Sequence, residues 1–154
     1  MARIQHIRLS VDGAEVISRK LYGLERLPKN QKPILKKIYK VIQQAWGRVF
    51  NRQGPGWAPL KPSTVRNRES MGYPGDKPIG INTGEFVRSL MGRGSMTIER
   101  YDNKSAEFGA FGIKAAVFNK GSGKQVAREI NVFDEKCKRG IVYEYKEAVR
   151  KVIK

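Results

Sequence analysis

Between Asn30 and Phe50, apolar residues recur at Ile34, Leu35, Ile38, Val41, Ile42, Ala45, Trp46, Val49 and Phe50, three or four residues apart. That period puts them on one face of a helix, and Pro33 suits its first turn. Lys36, Lys37, Lys40, Gln43, Gln44 and Arg48 fall mostly on the other side. Trp46 and Phe50 belong to the apolar stripe and are expected in the core. A second stripe ends the chain, with Ile141, Val142, Tyr145, Ala148, Val149, Val152 and Ile153 on one face of GIVYEYKEAVRKVIK.

The remaining segments are shorter. RIQHIRLSV, residues 3–11, alternates imperfectly as a first strand, and Asp12-Gly13 signals a turn. Val16, Ile17, Leu21, Leu24 and Leu27 then follow helical spacing, with Asp12 and Glu15 near the positive end of the helix dipole. NTGEFVRSL reads as a helix start: Asn82 or Thr83 caps, Glu85 lies in the first turn, and Phe86, Val87 and Leu90 face inward. Gly92-Arg93-Gly94 ends it. SMTIERYD has period two, Asp102-Asn103 turns the chain, and SAEFGAFG returns as the partner of a β-hairpin. IKAAVFNKGSG fits a short helix or the end of a strand, and QVAREINVF has the β-branched and aromatic content of another strand. Helices first, strands next and a helix last predict an α+β fold: N-terminal amphipathic helices, a small antiparallel sheet, a C-terminal helix and a long central loop or arm. One domain, 1–154, is expected, with the extended loop or arm at 52–80.

That central stretch has little hydrophobic period of its own. Two turn-rich islands, QGPGWAPLKP and MGYPGDKPIG, flank STVRNRES, where Ser63 or Thr64 can cap a helix of one or two turns carrying Arg66 and Arg68. Connections this long inside compact domains are usually functional or disordered. Trp57, Leu60, Met71, Tyr73 and Ile79 argue against disorder, because such side chains are costly to leave in water. They imply docking, either on the body of the chain or on a neighbouring subunit.

Charge adds a partner to this picture. Lys and Arg number 31 against 14 Asp and Glu, a net charge of +17. Such an excess repels itself and is explained by a partner of opposite sign, nucleic acid or an acidic protein surface. Lys36, Lys37 and Lys40 on the long helix, and Lys120 and Lys124 around Gly121-Ser122-Gly123, are the candidate contacts to phosphates or to such a surface. Chemistry is less visible. The single Cys137 has no disulfide partner within the chain, and the single His6 has no cluster of metal-ligating residues to join. No spacing suggests a hydrolytic carboxylate pair; GRGSM lacks the Lys-Ser/Thr end of a phosphate-binding loop, and NKGSGK lacks its four-residue spacer and the following Ser or Thr. The expectation is therefore a protein that is not an enzyme, without catalytic, cofactor or metal residues. No stretch approaches the roughly 20 apolar residues that span a bilayer, and the first residues lack a signal peptide's apolar region, so a protein made and used in a cytoplasm is expected.

The order of these signals carries a resemblance. Phe50, Gly56, Trp57, Pro59, Leu60, Thr64, Ile81, Thr83, Gly84, Phe86, Ser89 and Leu90 match a pattern of helix-end Phe, a Gly before Trp-x-Pro-Leu, Thr with basic residues, and Ile-x-Thr-Gly-x-Phe-x-x-Ser-Leu. In this the chain resembles the phage virion morphogenesis family, the tail-completion proteins of tailed bacteriophages. The resemblance spans about residues 35 to 150 and weakens towards the end. Ala116, Val117, Phe118, Asn119 and Gly121 stand where the family has Tyr-Ala and His-x-x-Gly elements, and Val126 precedes Ala127-Arg128 where the family has Pro. The resemblance implies a structural virion protein at the neck, closing the tail and joining it to the DNA-filled head after assembly in the host cytoplasm. It implies a ring of copies, a hexamer or dodecamer, touching neck, tail-terminator or head-completion proteins and packaged DNA, with no membrane partner. Under it the arm docks on a neighbour through Trp57, Leu60, Arg66, Arg68 and Tyr73, and the basic residues face either DNA or acidic protein. A sequence-independent nucleic-acid-binding protein is the alternative.

Overall fold

The computed structural model describes residues 29–75, 78–121 and 126–153. The expected first strand, the Asp12-Gly13 turn and the first helix lie outside the described residues, as do His6 and Lys124. Among the described residues the fold is α+β, with five helices and one two-stranded antiparallel sheet. The elements are α1 (Lys32–Asn51), α2 (Pro62–Ser70), α3 (Glu85–Leu90), β1 (Thr97–Tyr101), β2 (Ala106–Ala110), α4 (Ile113–Lys120) and α5 (Glu135–Ile153).

Several boundaries depart from the sequence pattern for local reasons. Helix α2 is capped by neither Ser63 nor Thr64. Pro62 stands at its first position after an extended Lys61, whose carbonyl accepts the N–H of Thr64 at 2.8 Å and of Val65 at 3.1 Å. A proline there is already at a helical φ and has no N–H to leave unpaired. Helix α3 follows Gly84 at φ 74°, and the Thr83 hydroxyl takes the Glu85 N–H at 3.3 Å. Helix α5 begins at Glu135, five residues before Gly140, because the Asp134 carboxylate accepts the Cys137 N–H at 2.8 Å as an N-cap. The strand expected in QVAREINVF is absent, since residues 126–133 are irregular. Their backbone groups pair with loop and helix partners: Arg128 N–H donates to Phe118 O at 2.8 Å, and Ile130 N–H to Asn119 Oδ1 at 3.3 Å. With those groups occupied, no ladder is available.

The chain divides into two compact units. One holds Trp46–Ile98 and Gly109–Val132; of the described residues, the other holds those up to Ala45, Glu99–Phe108 and those from Phe133 on. In the second unit Ile34, Leu35, Ile38, Tyr39 and Ile42 are buried together with Phe108, Cys137 and Tyr145. Tyr39, outside the apolar stripe read from the sequence, stacks on Phe108 with ring centroids 4.6 Å apart. Gly140 sits in this unit too, where an added Cβ would come within 2.8 Å of Val41 Cγ1, so the absent side chain lets α5 approach α1 closely. The terminal stripe is only partly used: Tyr145 is buried, whereas Val152 is 51% exposed.

In the first unit Trp46, Phe50, Leu90 and Ile130 are fully or almost fully buried. The Trp46 indole N–H meets Asn131 Oδ1 at 3.3 Å. Trp46 and Phe50 are core residues, as their place in the stripe predicts.

Deleting a stacked, buried ring loses both its transfer free energy and its packing. Phe108→Ala is expected to cost about 3–5 kcal/mol, while Tyr143→Ala, on a side chain 58% exposed, should stay within about 0.5 kcal/mol. Urea denaturation of the two variants beside the parent chain measures the difference.

Candidate functional site

The first unit is organised where α1 ends. Phe50, in its last turn, meets three other rings: Trp57 edge-on at 5.5 Å, Phe86 edge-on at 6.0 Å, and Phe118 tilted at 5.9 Å. Phe118 also contacts Trp57 at 5.3 Å and Phe86 at 5.1 Å. Edge-to-face and tilted pairs at these separations are the favoured arrangements of aromatic quadrupoles. Four separate stretches of sequence thus supply one cluster.

Backbone geometry makes room for it. Gln53 adopts the left-handed conformation at φ 57° and Gly54 follows at φ 77°, with Gly54 N–H returning to Val49 O at 2.7 Å. A Cβ on Gly54 would fall inside the Trp57 indole. The Gln53 side chain then ties the far end of the loop to the helix, donating from Nε2 to Phe50 O at 2.7 Å and accepting the Ile79 N–H on Oε1 at 2.6 Å. Next to that tie, Gly80 lies at φ 79° with its α-carbon against the rings; an added Cβ would be 2.8 Å from Phe50 Cε1 and 2.9 Å from Phe118 Cζ.

Beside the cluster runs a groove of about 560 Å³. Phe86, Phe118, Ile79 and Leu60 give it apolar lining, and Lys61, Thr64, Arg68, Thr83 and Arg128 bring donors to it. Two strands of loop clamp one another along its side. The Trp57 indole N–H donates to Glu129 O at 3.1 Å, and Arg128 reaches back to Ala58 O at 3.4 Å. Glu85, the groove's one carboxylate, is held from several sides. Ser95 donates to it from its hydroxyl at 2.8 Å and its N–H at 2.7 Å, Ser89 from its hydroxyl at 3.3 Å, and Arg88 from its guanidinium at 3.0 Å. The Ser95 hydroxyl, then the Arg88 guanidinium and the Ser95 N–H, lower its pKa from 4.5 to about 2. Ser95 belongs to GRGSM, so the donors of that turn serve a carboxylate of the same chain. Gly94 lies so close to Ser89 that an added Cβ would overlap its hydroxyl.

The residues singled out from the sequence separate. Trp57 is half-buried in the aromatic cluster, Leu60 is half-buried in the groove lining, and Tyr73 is half-buried just past α2, its N–H on Arg68 O at 2.9 Å. Arg66 is exposed, whereas Arg68 is 7% exposed and lines the groove. Residues two apart on a helix point to different faces, so the pair cannot act together. Lys36, Lys37 and Lys40 are exposed in the other unit, with Lys37 paired to Glu144 at 3.4 Å, and Lys120 is exposed at the end of α4. Gln53, Gly54, Gly80 and Arg128 escaped the sequence reading as site residues. For Gly54 and Gly80 the available signal was the run of Gly after a helix and before the Thr-Gly segment, which marks positions needing positive φ; Gln53 and Arg128 carried none.

Among the described residues, no group of three or more His, Cys, Asp or Glu gathers as a metal site requires, and no helix is long and apolar enough to cross a membrane. Compared with family models, curated proteins and solved structures, the chain matches none.

Two outcomes follow from this geometry. Gly80→Ala combines left-handed strain with overlap against two rings and should cost about 2–4 kcal/mol, whereas Gly56→Ala, at φ 73° with open space around it, should cost only the strain of about 1–2 kcal/mol. Chemical denaturation of both separates the steric part. Because its folded pKa lies below its ordinary value, Glu85 contributes its full stabilisation above pH 4.5 and loses it as pH falls towards about 2. The melting-temperature gap between the parent and Glu85→Gln should be constant above that window and close within it.

Proposed function

We propose that this chain is a structural protein of a tailed-phage virion, acting as a ring subunit at the neck where the tail is completed and joined to the DNA-filled head. The observation that carries this reading is convergence. The residues of the resemblance are spread over some forty positions, yet Phe50, Trp57 and Phe86 share one aromatic cluster. Pro59, Leu60, Thr64 and Thr83 line the adjoining groove, and Ser89 and Leu90 are fully buried in the same unit. The weaker half of the pattern joins them: Phe118 completes the cluster, and Arg128 reaches the carbonyl beside Trp57. A motif scattered in sequence and contiguous in space is a motif for one structural purpose.

The groove suits recognition better than turnover. A carboxylate held near pKa 2 is a poor proton donor or acceptor at neutral pH, so Glu85 organises the turn rather than performing acid–base chemistry. Apolar floor and basic rim fit an extended segment of a neighbouring virion protein. With Trp57 turned onto its own chain, contact with a neighbour falls to the groove's Leu60 and exposed Val126, and to Met71 at the end of α2, 59% exposed. Such heterologous patches close rings when each copy meets a different surface of the next.

Mass spectrometry of purified phage particles should detect the chain, and deletion of its gene should leave filled heads and tails unjoined in electron micrographs. Complete, infectious particles assembled without it would overturn the reading.

A further inference from the structure

In the second unit, α1 presents an unusual line of charge. Lys32, Lys36 and Lys40 are exposed at four-residue intervals, and Lys29 precedes them. A helix rises about 1.5 Å per residue, so neighbouring ammonium stems are rooted ~6 Å apart and the line runs ~12 Å from Lys32 to Lys40. The hairpin adds to it. Gln31 N–H donates to Asn103 O at 2.7 Å, which fixes the β1–β2 turn against the start of α1. Lys29, Lys32 and Lys104 consequently surround one depression with Asp102 and Asn103. Further along, the Lys36 ammonium lies 5.7 Å from the Tyr101 ring centroid, a cation–π contact that holds it on this face.

The nearby carboxylates are largely occupied. Asp102 accepts the Ser105 hydroxyl at 3.2 Å, and Glu99 accepts the Tyr101 hydroxyl at 2.9 Å. Lys37, one residue off the line, is neutralised by Glu144. Among the described residues, five lysines therefore face two carboxylates that already have donors.

We propose that Lys29, Lys32, Lys36, Lys40 and Lys104 form a ridge that binds the phosphate backbone of duplex DNA without regard to sequence. Each strand of the duplex carries a phosphate about every 3.4 Å of axial rise, so ~12 Å of ridge spans three or four of them. Lysine meets a phosphate as a flexible point charge, and a row of point charges at even spacing matches a polymer of regularly repeated anions. An acidic protein surface is not bound to such a repeat, and carboxylate recognition favours the bidentate fork of arginine, which this line lacks. Phosphate binding by the ridge does not require a virion role and stands or falls separately.

Fluorescence anisotropy with a labelled duplex of arbitrary sequence, from ~50 to ~200 mM salt, tests the ridge. Each phosphate contact contributes about −0.9 to the slope of log K against log salt, so Lys32→Gln, Lys36→Gln and Lys40→Gln together should flatten it by about 2.7. A control triple in the other unit, Arg52→Gln, Arg66→Gln and Arg93→Gln, removes the same charge from exposed positions and should change the slope by less than about 1. All six side chains are exposed, and circular dichroism confirms that both triples fold. Equal flattening by the two triples would mean bulk charge rather than a site and would overturn the proposal. So would an unchanged slope in the ridge triple, or tighter binding of poly-glutamate than of duplex by the parent chain, which would assign the ridge to an acidic protein.

Discussion

Phe50 sets the terms for the unit it belongs to. Its ring comes from the last turn of a long helix and is surrounded by Trp57, Phe86 and Phe118, so the chain leaving that helix must fold back at once to deliver Trp57 to it. Two left-handed residues, Gln53 and Gly54, make that reversal, and the indole occupies the space a Gly54 side chain would need. Gly80 repeats the arrangement on the return path, where its α-carbon lies against the same rings. Aromatic packing and backbone permissiveness are one requirement here: the rings close only where the neighbouring backbone carries no Cβ.

A loop of low apolar content is held by this arrangement through few but well-placed bonds. Gln53 spans from the helix end to Ile79, and Trp57 and Arg128 cross-link the loop to residues 126–129. Glu85 plays the same part for the connection between α3 and β1, where serine donors and an arginine converge on one carboxylate. Such side-chain to backbone bonds satisfy polar groups that have no helix or ladder to join.

The basic side chains of the described residues fall into different surroundings. Arg68 is drawn into the groove wall, Lys37, Arg88, Arg100, Lys138 and Arg150 pair with carboxylates, and the lysine line of α1 faces solvent. Exposed pairs of this kind contribute little stability, and their effect is to remove charge locally. Arg52, Arg66, Arg93 and Lys120 are exposed as well, but on separate elements and connections rather than in one line along a helix.

Periodicity alone determined the long helix, its buried Trp46 and Phe50, the hairpin and the terminal helix, because each depends on residues close in sequence that share one face. The helix in STVRNRES and the turn at GRG were legible locally too, although Pro62 rather than a Ser63 or Thr64 cap starts that helix. Tertiary structure decided where Trp57 packs, that Arg68 is buried while Arg66 is not, that Lys37 pairs with a carboxylate, and that residues 126–133 stay irregular. Where a partner is identified it lies outside the local segment: Glu129 for Trp57, Glu144 for Lys37 and, eleven residues away, Asn119 for Ile130. A linear pattern records which side chains prefer burial or charge, but the identity of a distant partner exists only once the backbone has brought the two together.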